Sequence, residues 1–231
     1  MDPTTESAAP AALTIDVVSD VVCPWCYIGK RRLEGALAQW AAAHPDAPAP
    51  VVQWRPFQLN PDLPRGGADR RSYLERKFGG AERAAEIYAR VEAAGREVGI
   101  WFEFERIERQ PNTLDAHRLL AWAQGLDAVK AMRLVEDLFR AYFTQGVDIG
   151  NIEQLSRIAA QAGFDAYGAT AMLTSGEGRA AVAAADQRAR AMGVTGVPLF
   201  IFNQRVAVSG AQPPKVLAEA MLQSEVATIT R

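Results

Sequence analysis

The sequence predicts an α/β protein in which a β–α–β opening and an α–β–β–α close are separated by a long all-helical block. Three observations predict it. An apolar, β-branched run over 13–18 alternates as a strand does and leads into a helix-period pattern carrying Leu33, Leu37 and Trp40. Near the other end an Ala-rich helical pattern is followed by two short β runs and a final helix. Between about Pro61 and Gly178 one helix-period segment succeeds another, punctuated by Gly and by Asn or Asp.

Taken in order, residues 1–12 are rich in Pro, Ala and Thr and read as a disordered lead-in. After the first strand, a helix is expected to start at Cys23 or Pro24, because proline suits a first helical turn whose N–H has no partner anyway. It runs to Ala43 and stops in the Pro-rich loop His44 to Pro50. A second strand covers 51–57, and the helix before it is a crossover between parallel strands. Candidate helices follow at 68–78, 81–98, 113–124, 128–144, 152–162 and 166–174. Gly79-Gly80, Gly125, Gly146 and Gly163 close such runs, while Asn112, Asp127, Asn151 and Asp165 precede them as N-caps. Asn151 and Gln154 have the spacing of a capping box. The aromatic connector Ile100-Trp101-Phe102-Glu103-Phe104 is left without an element. A helix over 179–192, strands over 199–202 and 205–208 joined by a tight turn at Asn203-Gln204, and a helix from Pro213 to Gln223 with a frayed tail complete the chain.

Composition excludes several function classes. The 231 residues can bury a core without staples, and a net charge of −2 gives no electrostatic footprint for nucleic acid or an anionic membrane. The N-terminus is acidic and polar, unlike a secretory signal, and no apolar run approaches the roughly 18–20 residues needed to cross a bilayer. A cytoplasmic location is therefore expected. Two cysteines are too few for a disulfide scaffold. Both lie in Ser19-Asp20-Val21-Val22-Cys23-Pro24-Trp25-Cys26-Tyr27, at a strand-to-helix junction, where a dithiol is suited to thiol chemistry. Structural zinc would need about four ligands, and besides this pair the chain has only His44 and His117, neither at ligand spacing.

Four blocks carry a family resemblance: Ser19 to Lys30 around the Cys-Pro-Trp-Cys motif, Asn112-Thr113-Leu114-Asp115-Ala116-His117-Arg118, Gly196-Val197-Pro198-Leu199-Phe200, and Val208-Ser209-Gly210-Ala211-Gln212. In this order the chain resembles the thioredoxin fold, its large helical insertion resembles the DsbA-like branch, and within that branch it is similar to the FrnE-like dithiol–disulfide isomerases. The resemblance implies a discontinuous thioredoxin-like domain (13–60 and 179–231) with a helical insertion domain (61–178). It also implies that Pro198 is cis and lies against the dithiol, presenting the Val197 backbone to an incoming peptide or glutathione strand. Relatives with 2-hydroxychromene-2-carboxylate isomerase or kappa-class glutathione transferase activity share this architecture but typically carry serine at the position of Cys23. Some FrnE-like proteins carry a further cysteine pair that this sequence lacks.

Attack on a disulfide needs a thiolate, and a helix N-terminus or a Cys-x-x-Cys motif lowers a cysteine's pKa from about 8.5 to roughly 3.5–7.5. Cys23 is expected to be the exposed nucleophile and Cys26, one turn deeper, the resolving thiol. Pro24 and Trp25 between them tune the thiolate. His117 could serve as acid or base but is read as a hydrogen-bonded member of a helix face. Ser209 either caps the last helix or contacts a substrate carboxylate. Lys30-Arg31-Arg32 and Arg70-Arg71 read as solvated faces. Trp101, Phe102, Phe104, Tyr73, Phe78 and Tyr88 read as insert core, some of them lining a cleft beside the dithiol. The expected function is a thiol–disulfide oxidoreductase or isomerase with no bound cofactor or metal. Its partners would be protein or small-molecule thiols and disulfides, glutathione among them as co-substrate, and a second copy in a homodimer; neither nucleic acid nor membrane is expected. Two alternatives stand beside it: a glutathione-dependent isomerase or transferase acting on a small aromatic or polyketide-like molecule, and a non-catalytic redox-sensing or chaperone-like module.

Overall fold

The computed structural model describes residues 12–226, so the expected lead-in (but for Ala12) and the tail beyond 226 lie outside the described residues. Strand β1 (Thr14–Ser19) is central: its β-branched residues Ile15, Val17 and Val18 are buried. It pairs in parallel with β2 (Val51–Pro56) and antiparallel with β5 (Leu199–Phe202), which pairs antiparallel with β6 (Val206–Ser209), giving the order β2-β1-β5-β6. Helix α1 (Pro24–Ala43) begins with Pro24 in its first turn and ends where the backbone of His44 leaves the helical region. It makes the crossover from β1 to β2 and packs against α9 (Pro214–Val226). Along the β2 edge the Gln124 carboxamide bonds the Trp54 backbone twice, accepting from its N–H at 2.7 Å and donating to its carbonyl at 3.1 Å.

The intervening segment holds α2 (Arg70–Phe78), α3 (Ala81–Arg96), α4 (Leu114–Leu126), α5 (Ala128–Gln145), α6 (Ile152–Gln161) and α7 (Ala166–Thr174), with α8 (Arg179–Ala191) leading back to the sheet. Two two-residue strands, β3 (Ala68–Asp69) and β4 (Arg109–Gln110), pair antiparallel and tie the start of α2 to the approach to α4. One cluster of buried side chains runs from β1 and α1 through α4, α5 and α6, so the sheet and the inserted helices share a core. Tyr27 of α1 stacks on Phe139 of α5 at 5.1 Å between centroids, a contact that fastens the dithiol helix to the insertion.

Several sequence expectations are corrected. Residues 68–69 are strand, because the backbone of Ala68 and Asp69 pairs with β4 and Asp69 then caps α2 through the Ser72 N–H. Gly125 lies inside the last turn of α4, whose end is set by Asp127, shared as N-cap of α5. Asn112 is not the cap of α4: its Oδ1 accepts from Leu114 N two residues on, and Thr113 occupies the cap position. Asn151 does cap α6 through Gln154 N, but its own N–H donates to the Asp148 carbonyl, so the box is not reciprocal. The β5–β6 connection has three residues, Asn203 to Arg205, with positive φ at Asn203 and Gln204; Thr14 N–H on Asn203 Oδ1 at 3.0 Å holds it against β1. Lys30 and Arg70 are buried rather than solvated. Lys30 bridges Glu34 and Glu136, and Arg70 donates to Gln110, Tyr142 and Tyr88. Trp101 is exposed, whereas Phe102 and Phe104 join the ring cluster around Phe143.

Candidate active site

The dithiol sits where β1 hands over to α1. Cys23 is the N-cap of α1, in extended conformation, and its N–H donates to the Asp20 carbonyl at 3.0 Å. Both thiols are free. The expectation that Cys23 is exposed is corrected: it is 5% exposed and Cys26 1%. The cover comes from two directions. From the sheet side, the Cys23 thiol donates to the Val197 carbonyl at 3.6 Å, and the Val197–Pro198 peptide is cis. From the other side, α2 and α3 close over the dithiol as a helical lid, joined through Gly79 and Gly80, whose φ values of +79° and +133° suit glycine.

Between the dithiol and this lid lies a cavity of about 230 Å³. Val22, Cys23, Pro24 and Trp25 form its floor, and Leu59 and Asn60 one wall. Tyr73, Leu74, Lys77 and Phe78 of α2, Ile87, Tyr88 and Val91 of α3, and Gln110 of β4 complete it. Asn60, Tyr73 and Lys77 are linked: the Tyr73 hydroxyl donates to Asn60 Oδ1 at 2.7 Å and accepts from Lys77 Nζ at 2.9 Å. Cys26 does not line this cavity.

The two sulfurs are in unequal surroundings. Burial pushes the Cys26 thiol well above the ordinary thiol range, and hydrogen bonding with Cys23 and the charge of a Cys23 thiolate add to it. Hydrogen bonding from the Ser19 hydroxyl and the Asp20 backbone acts in the opposite direction and is outweighed by burial. A charge on Cys23 thus holds the proton on Cys26.

Asp20 is the strut beneath this arrangement, and sequence reasoning quoted it without giving it a role. It is fully buried; one carboxylate oxygen contacts His117 Nε2 at 3.2 Å and the other accepts from Leu59 N at 2.7 Å. It therefore joins α4, the cavity wall and the dithiol turn. The wall segment is further held by Gln58 N–H on Asp186 at 2.8 Å and by the Arg190 guanidinium over the Phe57 ring at 4.3 Å.

The structure brings Pro24, Trp25, Val197 and Pro198 to Cys23, and leaves two predicted substrate-binding residues away from the cavity. His117 is buried and reaches the dithiol turn only through Asp20. Ser209 is exposed and paired with Leu199 at the end of β6, before the loop that leads to Pro214, so it does not cap the last helix. Its neighbour Gly210 instead donates its N–H to the Pro198 carbonyl at 2.8 Å and so fixes the proline loop. Pro198 also abuts α1, where only a glycine fits: a Cβ on Gly29 would meet Pro198 Cγ at 2.9 Å. Leu59, Asn60, Lys77 and Gln110 were missed because their loop and lid positions give no periodic signal toward the dithiol. Among the described residues no group of three or more His, Cys, Asp or Glu could hold a metal ion, and no helix is long and apolar enough to cross a membrane.

Comparison with known proteins places the site in context. A family model described as a DSBA-like thioredoxin domain matches residues 14–222. The protein YwbO of Bacillus subtilis, itself uncharacterised, is 25% identical over 211 residues, which cover 90% of this chain and 94% of YwbO. Among solved structures, a probable DsbA oxidoreductase from Streptomyces coelicolor matches with a TM-score of 0.81 and 30% identity, over 93% of this chain and 90% of the other. The cytosolic disulfide reductase DsbM from Pseudomonas aeruginosa, solved with GSH, shares the fold at a TM-score of 0.64 and 18% identity, over 93% of this chain and 99% of DsbM.

Proposed function

The chain belongs to the family of DSBA-like thioredoxin domains, and on that premise we propose that it is a thiol–disulfide oxidoreductase working through the Cys23–Cys26 dithiol. The observation that carries the reading is the inequality of the two sulfurs. Cys23 opens onto a cavity at a helix N-terminus beside a cis-proline loop, while Cys26 is sealed beneath it.

In the reducing direction the Cys23 thiolate attacks one sulfur of a substrate disulfide. A Cys23–substrate mixed disulfide forms and the other substrate sulfur leaves as a thiolate. Bonding of Cys23 to substrate sulfur removes its negative charge, and with it one of the influences keeping the proton on Cys26. Cys26 then loses its proton and attacks Cys23, closing the Cys23–Cys26 disulfide and releasing the second thiolate. Two electrons pass from the dithiol to the substrate, and the reverse sequence oxidises a substrate dithiol. The Val197 carbonyl, 3.6 Å from the Cys23 sulfur, fixes the direction from which a substrate sulfur approaches. Glutathione is the proposed co-substrate that resets the dithiol, a reading supported by the fold shared with DsbM, whose structure was solved with GSH. His117 contributes through Asp20, and the proline loop is held by the Gly210 N–H on the Pro198 carbonyl.

The test is thiol trapping. Cys23→Ser should abolish turnover of model disulfides, and Cys26→Ser should accumulate a mixed disulfide visible by mass spectrometry; undiminished turnover in Cys23→Ser would overturn the reading. Equilibration with glutathione buffers should place the couple within the span of about −270 to −120 mV covered by thioredoxin-fold dithiols, and its position decides the preferred direction.

A further inference from the structure

Lys77 is the one charged side chain among the residues lining the cavity over Cys23, the thiol aside. Its contacts are the Tyr73 hydroxyl at 2.9 Å and the ring faces of Tyr73 and Phe78, at 5.3 and 5.8 Å; no carboxylate pairs with it among the described residues. An ammonium group beside an aromatic wall, with its only hydrogen bond to a neutral phenol, can still take an anion. Below it the lining is mostly apolar, from Leu74, Phe78 and Ile87 down to Trp25 at the dithiol, with Asn60, Gln110 and the tyrosine hydroxyls as its neutral polar members. With 5% exposure, Cys23 is reached by way of this space rather than from open solvent.

We propose that the cavity is a specificity pocket for small disulfides with an apolar, preferably aromatic, body and one anionic end, with the sulfur delivered to Cys23 and the anion, a carboxylate or sulfonate, held by Lys77. The assignment rests on the redox reading above. The step it serves is balanced within the pair: the reduced dithiol gives two electrons to the substrate disulfide, Cys23 and Cys26 become joined, and two small thiolates leave, with no further reductant in a single turnover. Charge selectivity follows from geometry. The lining supplies apolar contact to neutral and anionic substrates alike, whereas only an anion gains the attraction of Lys77.

The experiment is single-turnover stopped flow on the pre-reduced full chain with two aromatic disulfides, the doubly anionic dithiobis-nitrobenzoate and the neutral dithiodipyridine. The readout is the ratio of their second-order rate constants. Lys77→Met keeps the apolar stem and removes the charge, and Lys77 is exposed, so the fold is not at stake. Arg76→Met removes the same charge from the next position of α2 without touching the cavity and is the control for long-range attraction. The ratio should fall by at least about fivefold in Lys77→Met and move less than about twofold in Arg76→Met. A smaller fall in Lys77→Met, or an equal fall in Arg76→Met, overturns the pocket assignment. If reduced wild type reacts with neither probe, or its product lacks a Cys23–Cys26 bond by mass spectrometry, the redox reading itself fails and the assignment falls with it; reaction with a changed ratio tests the pocket alone.

Discussion

The cleft formed by α6, α7 and residues 65–66 has a volume of about 830 Å³, more than three times the 230 Å³ of the cavity over Cys23. The two differ most in what they do with charge. In the larger cleft Arg65 pairs with Asp115 at 3.3 Å and Arg157 with Glu153, while Asp115 also holds Arg118 at 2.6 Å and Arg179 at 3.4 Å. Each charged lining residue is already satisfied, so a ligand would have to displace a partner and gain little. The smaller cavity leaves one cation without a carboxylate and has a reactive sulfur in its floor. Size follows from how helices splay; chemistry follows from which groups are left unmatched.

The largest loss is expected at Arg118, which organises the charges behind the larger cleft. Fully buried, it donates to Asp115 and to the carbonyls of Met172, Leu173, Ser175 and Glu177, closing the end of α7 and the turn into α8. Arg118→Met should destabilise the fold by about 3–5 kcal/mol in urea unfolding, because a buried carboxylate loses the shortest of its three arginine contacts and several carbonyls lose a donor. The glutathione-equilibrated potential of the folded variant should stay at the wild-type value. A loss below about 1 kcal/mol would show that the larger cleft is not held by its charges.

Gly29→Ala probes the other side. Its new Cβ would crowd Pro198 at 2.9 Å and the Phe200 ring at 3.1 Å. A cost of about 1–3 kcal/mol is expected, together with slower disulfide exchange as the proline loop shifts off Cys23. Wild-type stability and exchange rate would mean the loop yields freely.

The pH profile sharpens the contrast between the two sulfurs. Because burial raises the Cys26 pKa, the thiol stays protonated through neutrality, and the resolving step should accelerate about tenfold per pH unit as pH rises toward that raised value. Stability of the reduced protein moves the opposite way: the contribution of this neutral buried thiol is complete below the unfolded thiol pKa of about 8.5 and is lost as pH rises through the folded value. Quenched-flow trapping of the mixed disulfide measures the rate, and a flat profile from about pH 7 to 9 would contradict the assignment of Cys26 as resolver. The smallest effect belongs to the larger cleft again: Asn151→Ala removes the cap on Gln154 N and should cost about 1 kcal/mol, with disulfide exchange at the wild-type rate. A changed exchange rate would couple the two regions.

Much of the DsbA-like thioredoxin fold was legible because its signals are local. Pro24 at a helix start, β-branched Ile15, Val17 and Val18, and Asp127, Asn151 and Asp165 at caps act through neighbours a few residues away. Failures came where a distant partner decided. Lys30 looked like part of a solvated basic run, but Glu136 of α5 meets it in the interior. Arg70 is drawn in by Tyr88, Gln110 and Tyr142, none of them near it in sequence. Cys23 was expected at the surface because the motif says nothing of α2 and α3, whose fold-over makes the cavity. Asp20 stands in the motif, yet its bonds to His117 and Leu59 depend on elements that only the folded chain assembles.

The Gln124 carboxamide on the Trp54 backbone has a consequence beyond local pairing. A sheet margin with free N–H and C=O groups is an invitation to another chain to add a strand, the first step toward edge-to-edge aggregation. Gln124 fills one donor and one acceptor on that margin with a side chain that mimics a peptide group, so a foreign strand arriving at β2 finds the rung at Trp54 taken. A single amide from a helix gives that side of a four-stranded sheet a measure of protection from recruitment into fibres.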